Sequence, residues 1–479
     1  MQKKFFSNLL LLLFLNLLIK PFWVLGIDRA VQNAVGHEIY GEYFALFNFS
    51  FLFNILLDLG ITNYNNRNIA QNSNVLTKFF ARIFILKLSL GLIFLTVTII
   101  LGFIIDYTAD QVKLLVFLVF NQFLISLTMY LRSNIAGLHL FKHDSFISIL
   151  DRTLMILFCG LLLWGPDIGV TLNIHMFVYI QTLAYGLTAL AALWVVVTKT
   201  ENLLFKWDWP FIVVVVRQSF PFAILVLLMS FYNRVDTVML ERMLDNGAEE
   251  SGIYAAGFRL LDAANMIAML FAVILLPMFS RMLRQKEDVR ELILLSVRLL
   301  IVPAIVLSVT CYFYSVPLMD LLYDSKVNES ARVFGILMFC FVAISTTYIF
   351  GTLLTANGNL KQLNGMATLG IIINVGLNLW WIPAYQAQGS AMASLATQFF
   401  TAAAQVWIAW QVFRFKPKWD IIIRLIIFTA GVWGLGVALD HQTWPWLWRI
   451  AVMIGVSVLW SYVTGLLSIR MLYRILKYG

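Results

Sequence analysis

The sequence is poor in charged residues, cysteine and proline. Of its 479 residues, 12% are charged and 61% are hydrophobic, whereas soluble domains are roughly 25% charged and about half apolar. A soluble chain of this length could not cover so much apolar surface, so the composition predicts a polytopic membrane protein. The connections between apolar runs are short, which leaves little room for soluble domains.

The residue types that usually build catalytic centres are also scarce. Cys159, Cys311 and Cys340 lie far apart in apolar runs without metal-ligand spacing, as small core residues do. The HExxH, Walker and GxSxG patterns are absent. We therefore predict a protein that is not an enzyme, with no metal or other cofactor and no nucleic-acid partner, and leave coupling to H+ or Na+ open.

Long apolar runs are what the sequence has in abundance. A helix needs roughly 20 apolar residues to cross a bilayer. About fourteen runs meet this need, near residues 8–27, 41–59, 82–105, 114–137, 149–165, 174–198, 214–240, 253–280, 298–317, 332–355, 362–383, 389–413, 421–439 and 447–469. No small-x-small cleavage site follows the first run, which predicts an uncleaved first helix.

The distribution of Lys and Arg sets the expected orientation. With the N-terminus inside, 25 of the 34 Lys and Arg residues fall on the cytoplasmic side, six on the outer side and three within spans. Because cytoplasmic segments of membrane proteins carry the excess of Lys and Arg, both termini are expected in the cytoplasm. The basic C-terminal tail suits a helix on the anionic inner leaflet.

Short motifs recur six spans apart. GEYFALF (41–47) and GIYAAGF (252–258) share the pattern G-x-Y-x-A-x-F. Pro-Phe at 21–22 recurs at 221–222, and AGLHLFK (136–142) has a partner in ANGNLK (356–361). Three matches in one order, at offsets of about 200–220 residues, favour a duplicated transporter.

The repeat predicts the domain organisation. Residues 1–200 and 201–416 would form two six-helix bundles, and residues 417–479 would add two helices and a basic cytoplasmic tail. The alternative is that G-x-Y-x-A is a common start of an interfacial helix. The expected fold class is an all-α polytopic membrane protein of about fourteen transmembrane helices.

Charges inside the spans are the candidate functional residues, because a charge in hydrocarbon is costly. Arg259 and Asp262 are three residues apart, so they share a helix face and can pair. Arg234 and Asp236 point in different directions, so we expect them to pair across helices or to lie near the outer interface. Asp58 flanks the inner end of the second span.

Lys20 lies well inside the first span, next to Pro21. Proline removes a backbone hydrogen bond and kinks a helix, and Pro221 predicts a matching kink in the second half. Kinked helices with a cation beside freed carbonyls line the central cavities of transporters. We expect Lys20 to face a cavity between the halves and to bind an anion.

The order of weak motifs along nearly the whole chain resembles a known family. It resembles the polysaccharide exporter (Wzx-type flippase) branch of the multidrug/oligosaccharidyl-lipid/polysaccharide (MOP) exporter superfamily. The residues that carry this resemblance are the first apolar span with its basic residue, GEYFALFNFSFLFNILLDLGITNYNNRNIAQ, SFPFAILVLLMSFYNRVDTVML, SGIYAAGFRLLDAANMIAMLFAVILLPMFSRM and LLTANGNLKQLNGMATLGIIINVGLNLWWIP.

The resemblance implies a function and a set of partners. Such proteins flip undecaprenyl-pyrophosphate-linked sugar repeat units across the bacterial cytoplasmic membrane, and work beside polysaccharide polymerases and glycosyltransferases. Members carry basic residues in the lumen; Lys20 matches the first-span position, and Arg259 is a second candidate by placement. Asp58, Asp236 and Asp262 are unranked candidates for ion coupling. The sequence is poorer in lumenal cations than the family's carriers of strongly acidic glycans.

Other readings remain. Within the superfamily, the alternatives are a lipid II flippase and a drug:cation antiporter. From another class, a membrane polysaccharide polymerase or glycosyltransferase would need a sizeable outer loop, and the predicted outer loops are short.

Overall fold

A computed structural model describes residues 16, 18–19, 21–62, 65, 75–138, 140–165, 172–199, 208–415 and 419–467. In this part of the chain the regular structure is entirely helical, as predicted. The helices are α1 (Arg29–Val35), α2 (His37–Leu52), α3 (Val75–Ile104), α4 (Ala109–Gly137), α5 (Phe141–Trp164), α6 (Ile174–Val197), α7 (Trp209–Met243), α8 (Gly247–Arg284), α9 (Arg290–Ser296), α10 (Val302–Phe313), α11 (Ser315–Leu322), α12 (Val327–Ala356), α13 (Leu360–Phe413), α14 (Trp419–Asp440) and α15 (Trp446–Val463).

Eleven helical segments of the described residues are long and apolar enough to cross a membrane. Helix α13 has 54 residues and would be about 81 Å long if straight, far more than the ~30 Å hydrocarbon core. It breaks at Gln386, which has φ +53°, shortly after Pro383. This break falls between the predicted spans 362–383 and 389–413. The protein is thus a multi-pass membrane protein, and the count of fourteen spans stays a prediction.

Besides the break at Gln386, π- and 3-10 helices interrupt the apolar runs at three places in the described part of the chain. Trp23–Asp28 is a π-helix that leads directly into α1, and Val297–Ile301 is a second π-helix between α9 and α10. The third follows α2, where Asn54–Leu57 forms a 3-10 helix. Helix breaks of these kinds often occur at functional sites or hinges.

The chain divides into two compact units, Met1–Gly252 and Ile253–Gly479. The predicted domain boundaries at 200 and 416 stay predictions. In the first unit, α4 packs against α2, α3 and α6, and α7 packs against α2. Its inner core gathers apolar side chains around Tyr130, which stacks on Phe80 and donates a hydrogen bond of 2.9 Å to the Phe80 carbonyl.

The second unit is built on α12, which packs against both α13 and α10. The last two helices belong to this unit, since α14 contacts α10 and α15. Trp433 of α14 fixes this contact: its ring lies 5.3 Å from the ring of Tyr312, 5.2 Å from that of Phe313 and 6.2 Å from that of Phe339. Aromatic contacts of this geometry add stability beyond the area they bury.

Candidate functional site

The first polar cluster of the first unit surrounds the π-helix Trp23–Asp28. Lys20, the residue predicted to bind an anion, lies outside the described residues. Pro21 is described and lies two residues before the π-helix begins. Its predicted partner Pro221 falls within α7, at a position whose side chain is not described.

Asp28 closes the π-helix and is a functional candidate that the sequence did not reveal. Its residue is 2% exposed, and the Tyr40 hydroxyl donates to its Oδ2 at 2.8 Å. Gly36, with φ +84°, lies between α1 and α2 and changes the direction of the chain there. The turn brings Tyr40 close to Asp28. The predicted first span ends at residue 27, so Asp28 lies outside the span in which buried charges were sought.

A second missed charge, Arg152, lies in the same cluster. It sits ten residues into the candidate span Lys142–Trp164, about 15 Å along the helix and near its middle. Its guanidinium carbon lies 5.4 Å from the centre of the Trp23 ring and 5.8 Å from that of Tyr185. Asp151 Oδ2 is 3.7 Å from its Nε, and 27% of the side chain is exposed.

The arrangement around Arg152 suits recognition of an anion. Aromatic rings interact with the faces of a guanidinium, while its N–H donors point out from the edges. Arg stays charged in any protein environment and matches phosphate oxygens with two parallel hydrogen bonds. Arg152 lies close to the start of the predicted span 149–165, and the count of basic residues assigned it to the cytoplasmic flank.

The second cluster joins α2 to α7 and contains Arg234. Arg234 Nη1 donates to Asn48 Oδ1 at 3.3 Å, and its guanidinium lies 5.1 Å from the Phe51 ring. Asn48 Nδ2 in turn donates to Thr237 Oγ1 at 2.9 Å. Arg234 therefore interacts across helices, while Asp236 is buried on the same helix with 1% exposure.

The third cluster contains Asp58. This carboxylate lies in a turn after the 3-10 helix, where Lys87 Nζ and Thr62 Oγ1 both donate to its Oδ1. Lys87 lies inside the candidate span Phe80–Ile104, and its side chain is 1% exposed. The count of basic residues in the sequence had assigned Lys87 to the cytoplasmic flank.

Arg259 and Asp262, the remaining predicted site residues, lie one turn apart on α8 in the second unit. Both are half-buried. Their roles stay predictions. Among the described residues, no group of three His, Cys, Asp or Glu side chains could hold a metal ion.

The repeated motif has a structural role that its pattern did not disclose. The Gly41 and Gly252 positions lie where α2 crosses the start of α8. A Cβ atom at Gly41 would lie 1.8 Å from the Ala248 carbonyl oxygen, and one at Gly252 would lie 1.9 Å from the His37 carbonyl oxygen. Gln32 Nε2 also donates to the Gly252 carbonyl at 2.9 Å. The first glycines of the two motif copies therefore meet at a crossing that leaves no room for a Cβ atom.

Near this crossing, at the end of α7, Arg242 Nε pairs with Glu241 Oε2 at 2.7 Å and its guanidinium stacks 4.0 Å from the Tyr107 ring centre. Burial, then the nearby Glu241 carboxylate, raises the pKa of the Tyr107 hydroxyl. Gln111 closes the cluster by donating to Glu241 Oε1 at 3.3 Å.

Comparison with known proteins gives one family and one fold. The model of a family described as "Polysaccharide biosynthesis protein" matches residues 10–283. A search of curated proteins found no match.

Solved structures of transporters share the fold. A lipid II flippase MurJ in an inward closed conformation matches with a TM-score of 0.69 and 13% identity, covering 96% of this chain and 98% of that one. An inward-facing multidrug resistance MATE family transporter of the MOP superfamily gives 0.61 and 13%, covering 81% and 93%. A MOP superfamily transporter from Pyrococcus furiosus gives 0.55 and 13%, covering 84% and 92%. The predicted resemblance to this superfamily is confirmed, and the structures matched are those of transporters, not of enzymes.

Proposed function

Because the chain belongs to the polysaccharide biosynthesis protein family, we propose that it is a flippase for lipid-linked oligosaccharides. Its substrate would be an undecaprenyl-pyrophosphate-linked repeat unit, moved across the bacterial cytoplasmic membrane for O-antigen, capsule or exopolysaccharide synthesis. The family match on a chain with the MOP transporter fold carries this proposal.

The polar clusters fit the chemistry of such a substrate. A pyrophosphate headgroup cannot enter hydrocarbon without compensating charge, since burying unpaired ions is very costly. Arg152 in α5 supplies a cation at mid-span, and Lys20 and Arg259 are further candidates for the headgroup. Few cations suffice, because binding must stay weak enough for release.

The transport step would follow alternating access, in which one bundle of a repeat-built transporter rocks against the other. The prenyl tail would stay in the lipid while the headgroup crosses. The excess of Lys and Arg on one side supports cytoplasmic termini. Coupling to H+ or Na+ would need a carboxylate that changes its partner, and buried Asp28 and Asp236 join Asp58 and Asp262 as candidates.

One observation favours a lipid flippase over a drug:cation antiporter. The MurJ structure is matched along 96% of this chain, whereas the MATE transporter reported above is matched along 81%. A lipid II flippase is therefore the second candidate. Essentiality of the gene separates a lipid II flippase from a flippase for a surface glycan. Loss of lipid II transport stops growth, whereas loss of a surface glycan need not.

Deletion of the gene tests the proposal. Surface polysaccharide and the lipid-linked repeat unit left in the membrane would be measured together, with the reintroduced wild-type gene as control. We expect loss of the polymer and accumulation of intact repeat units on the cytoplasmic face. Single repeat units already at the outer face would instead indicate a polymerase and would overturn the proposal.

A further inference from the structure

The third polar cluster lies at a break in the second apolar run. Helix α2 ends at Leu52, the 3-10 helix covers Asn54–Leu57, and Leu59 and Gly60 then adopt positive φ angles of +46° and +79°. A non-glycine residue with positive φ is uncommon and signals a backbone held by its surroundings. The break takes the Leu57 carbonyl out of regular helical bonding.

A lysine side chain from the neighbouring helix α3 fills this break. Lys87 Nζ donates to the Leu57 carbonyl oxygen at 2.9 Å, to Ser126 Oγ at 3.1 Å and to Asp58 Oδ1. Ser126 Oγ also donates to the Leu57 carbonyl at 3.2 Å. All three N–H donors of the ammonium thus have an oxygen partner.

The break is also anchored to α4 on either side of the ammonium. Asn54 Nδ2 donates to Gln122 Oε1 at 2.8 Å, one turn before Ser126. Asn65 Nδ2 donates to Ser133 Oγ at 2.9 Å, about two turns after it. The oxygen groups around Lys87 are therefore held by the fold from both ends.

These oxygens are of the kind that bind a monovalent cation. A freed backbone carbonyl, a carboxylate and a hydroxyl are hard oxygen donors, and unwound helices in transporters coordinate ions with such carbonyls. We propose that Leu57, Asp58 and Ser126 form an intramembrane monovalent-cation site in which the Lys87 ammonium is a permanently tethered occupant. The Lys87 side chain is 1% exposed and that of Asp58 is 28% exposed.

A tethered cation has a mechanical consequence. A free ion can leave during transport, whereas Lys87 can only move with α3, so this break would keep its charge balance without exchanging ions. Asp58 would then no longer be a candidate for ion coupling. The site stands apart from the proposed function, since its test uses ions alone and needs no glycan.

Removal of the tether tests the site directly. Purified Lys87→Ala protein would be unfolded by heat in choline chloride, KCl, NaCl and methylammonium chloride at equal ionic strength. We expect a Tm below that of the wild type in choline chloride and a rise in Tm with methylammonium, K+ or Na+. The wild type should show no such rise, because its own ammonium occupies the site.

Two further variants test whether the ion response depends on the space left by Lys87 and on the Asp58 carboxylate. Lys113→Ala removes an exposed lysine of the same unit and should leave the Tm independent of the cation. The double variant Lys87→Ala/Asp58→Asn keeps the space but loses the carboxylate, so its Tm should not respond to the ions.

Other results would contradict the proposed cation site. One Tm for Lys87→Ala in all four salts would overturn the proposal, and so would an ion response that persists in the double variant. Lys87→Ser, which places a hydroxyl oxygen where the Lys87 side chain was, is a second single variant for the same Tm measurement. Failure of both single variants to accumulate, even in cells supplied with methylammonium, would also count against a site that accepts free cations.

Discussion

At the scale of single residues, Arg152 and Lys87 lie inside candidate membrane spans, and Asp28 is buried. Each has a polar or aromatic partner. Charges within spans are rare because they cost about 2.5–3.5 kcal/mol even on insertion scales. Their retention is best explained by function.

Replacement of Arg152 tests its role in anion binding. We expect Arg152→Gln to lower export of the surface glycan by about tenfold or more, because a hydrogen bond to a charged group contributes about 1.5–3 kcal/mol. Arg152→Lys should retain more activity, since it keeps the charge. Export is measured as surface polysaccharide per unit of membrane-inserted protein, and equal export by wild type and Arg152→Gln would contradict the role.

Lys20 gives a second prediction at this scale, made from the sequence alone. Lys20→Ala should abolish export while the protein still accumulates in the membrane, because the first-span cation would no longer meet the headgroup. Lys113→Ala, on an exposed position, is the control. Normal surface glycan in the Lys20 variant would remove Lys20 from the site.

At the scale of helices, the crossing of α2 and α8 depends on the absence of side chains. Carbonyl oxygens of His37 and Ala248 occupy the space that a Cβ atom at Gly252 or Gly41 would need. Because backbone atoms cannot rotate away as a side chain can, any larger residue must push the helices apart. The same two glycines define the repeated motif.

Alanine at these positions should therefore weaken the crossing. We expect Gly41→Ala and Gly252→Ala each to cost about 1–3 kcal/mol, the usual penalty for overpacking. The matched control is Gly186→Ala on α6, where a Cβ meets nothing within 4 Å and helix propensity alone would favour alanine. Labelling of a cysteine introduced at Gln32 should increase in the first two variants; unchanged labelling and stability would contradict a tight crossing.

At the scale of the whole molecule, the resemblance to a superfamily and the all-α membrane fold are confirmed, while orientation rests on the distribution of basic residues. A reporter that fluoresces only in the cytoplasm, fused after Gly479, should be active, and alkaline phosphatase at the same position should be inactive. Swapped activities of the two fusions would place the C-terminus outside.

Comparison of the predicted spans with the structure shows how much of the fold and of the site could be predicted from the sequence. Long apolar runs predicted the helices well; the runs 362–383 and 389–413, for example, lie on either side of the α13 break. The predicted spans 82–105 and 149–165 contain Lys87 and Arg152, but both residues lie near a span start and were counted with the cytoplasmic flank. The structure places both inside candidate spans, Phe80–Ile104 and Lys142–Trp164.

By itself, the sequence determined that this chain crosses a membrane many times as helices, because its apolar runs are long enough to span a bilayer as helices and satisfy their own backbone hydrogen bonds. The sequence also contains the repeated G-x-Y-x-A-x-F motif, whose glycines Gly41 and Gly252 lie in contact in the structure. Only the tertiary structure decided which charges are buried together. A π-helix at Trp23–Asp28 and a break after Leu57 depend on partners such as Tyr40 and Lys87, which are 12 and 30 residues away along the chain and are brought close by packing.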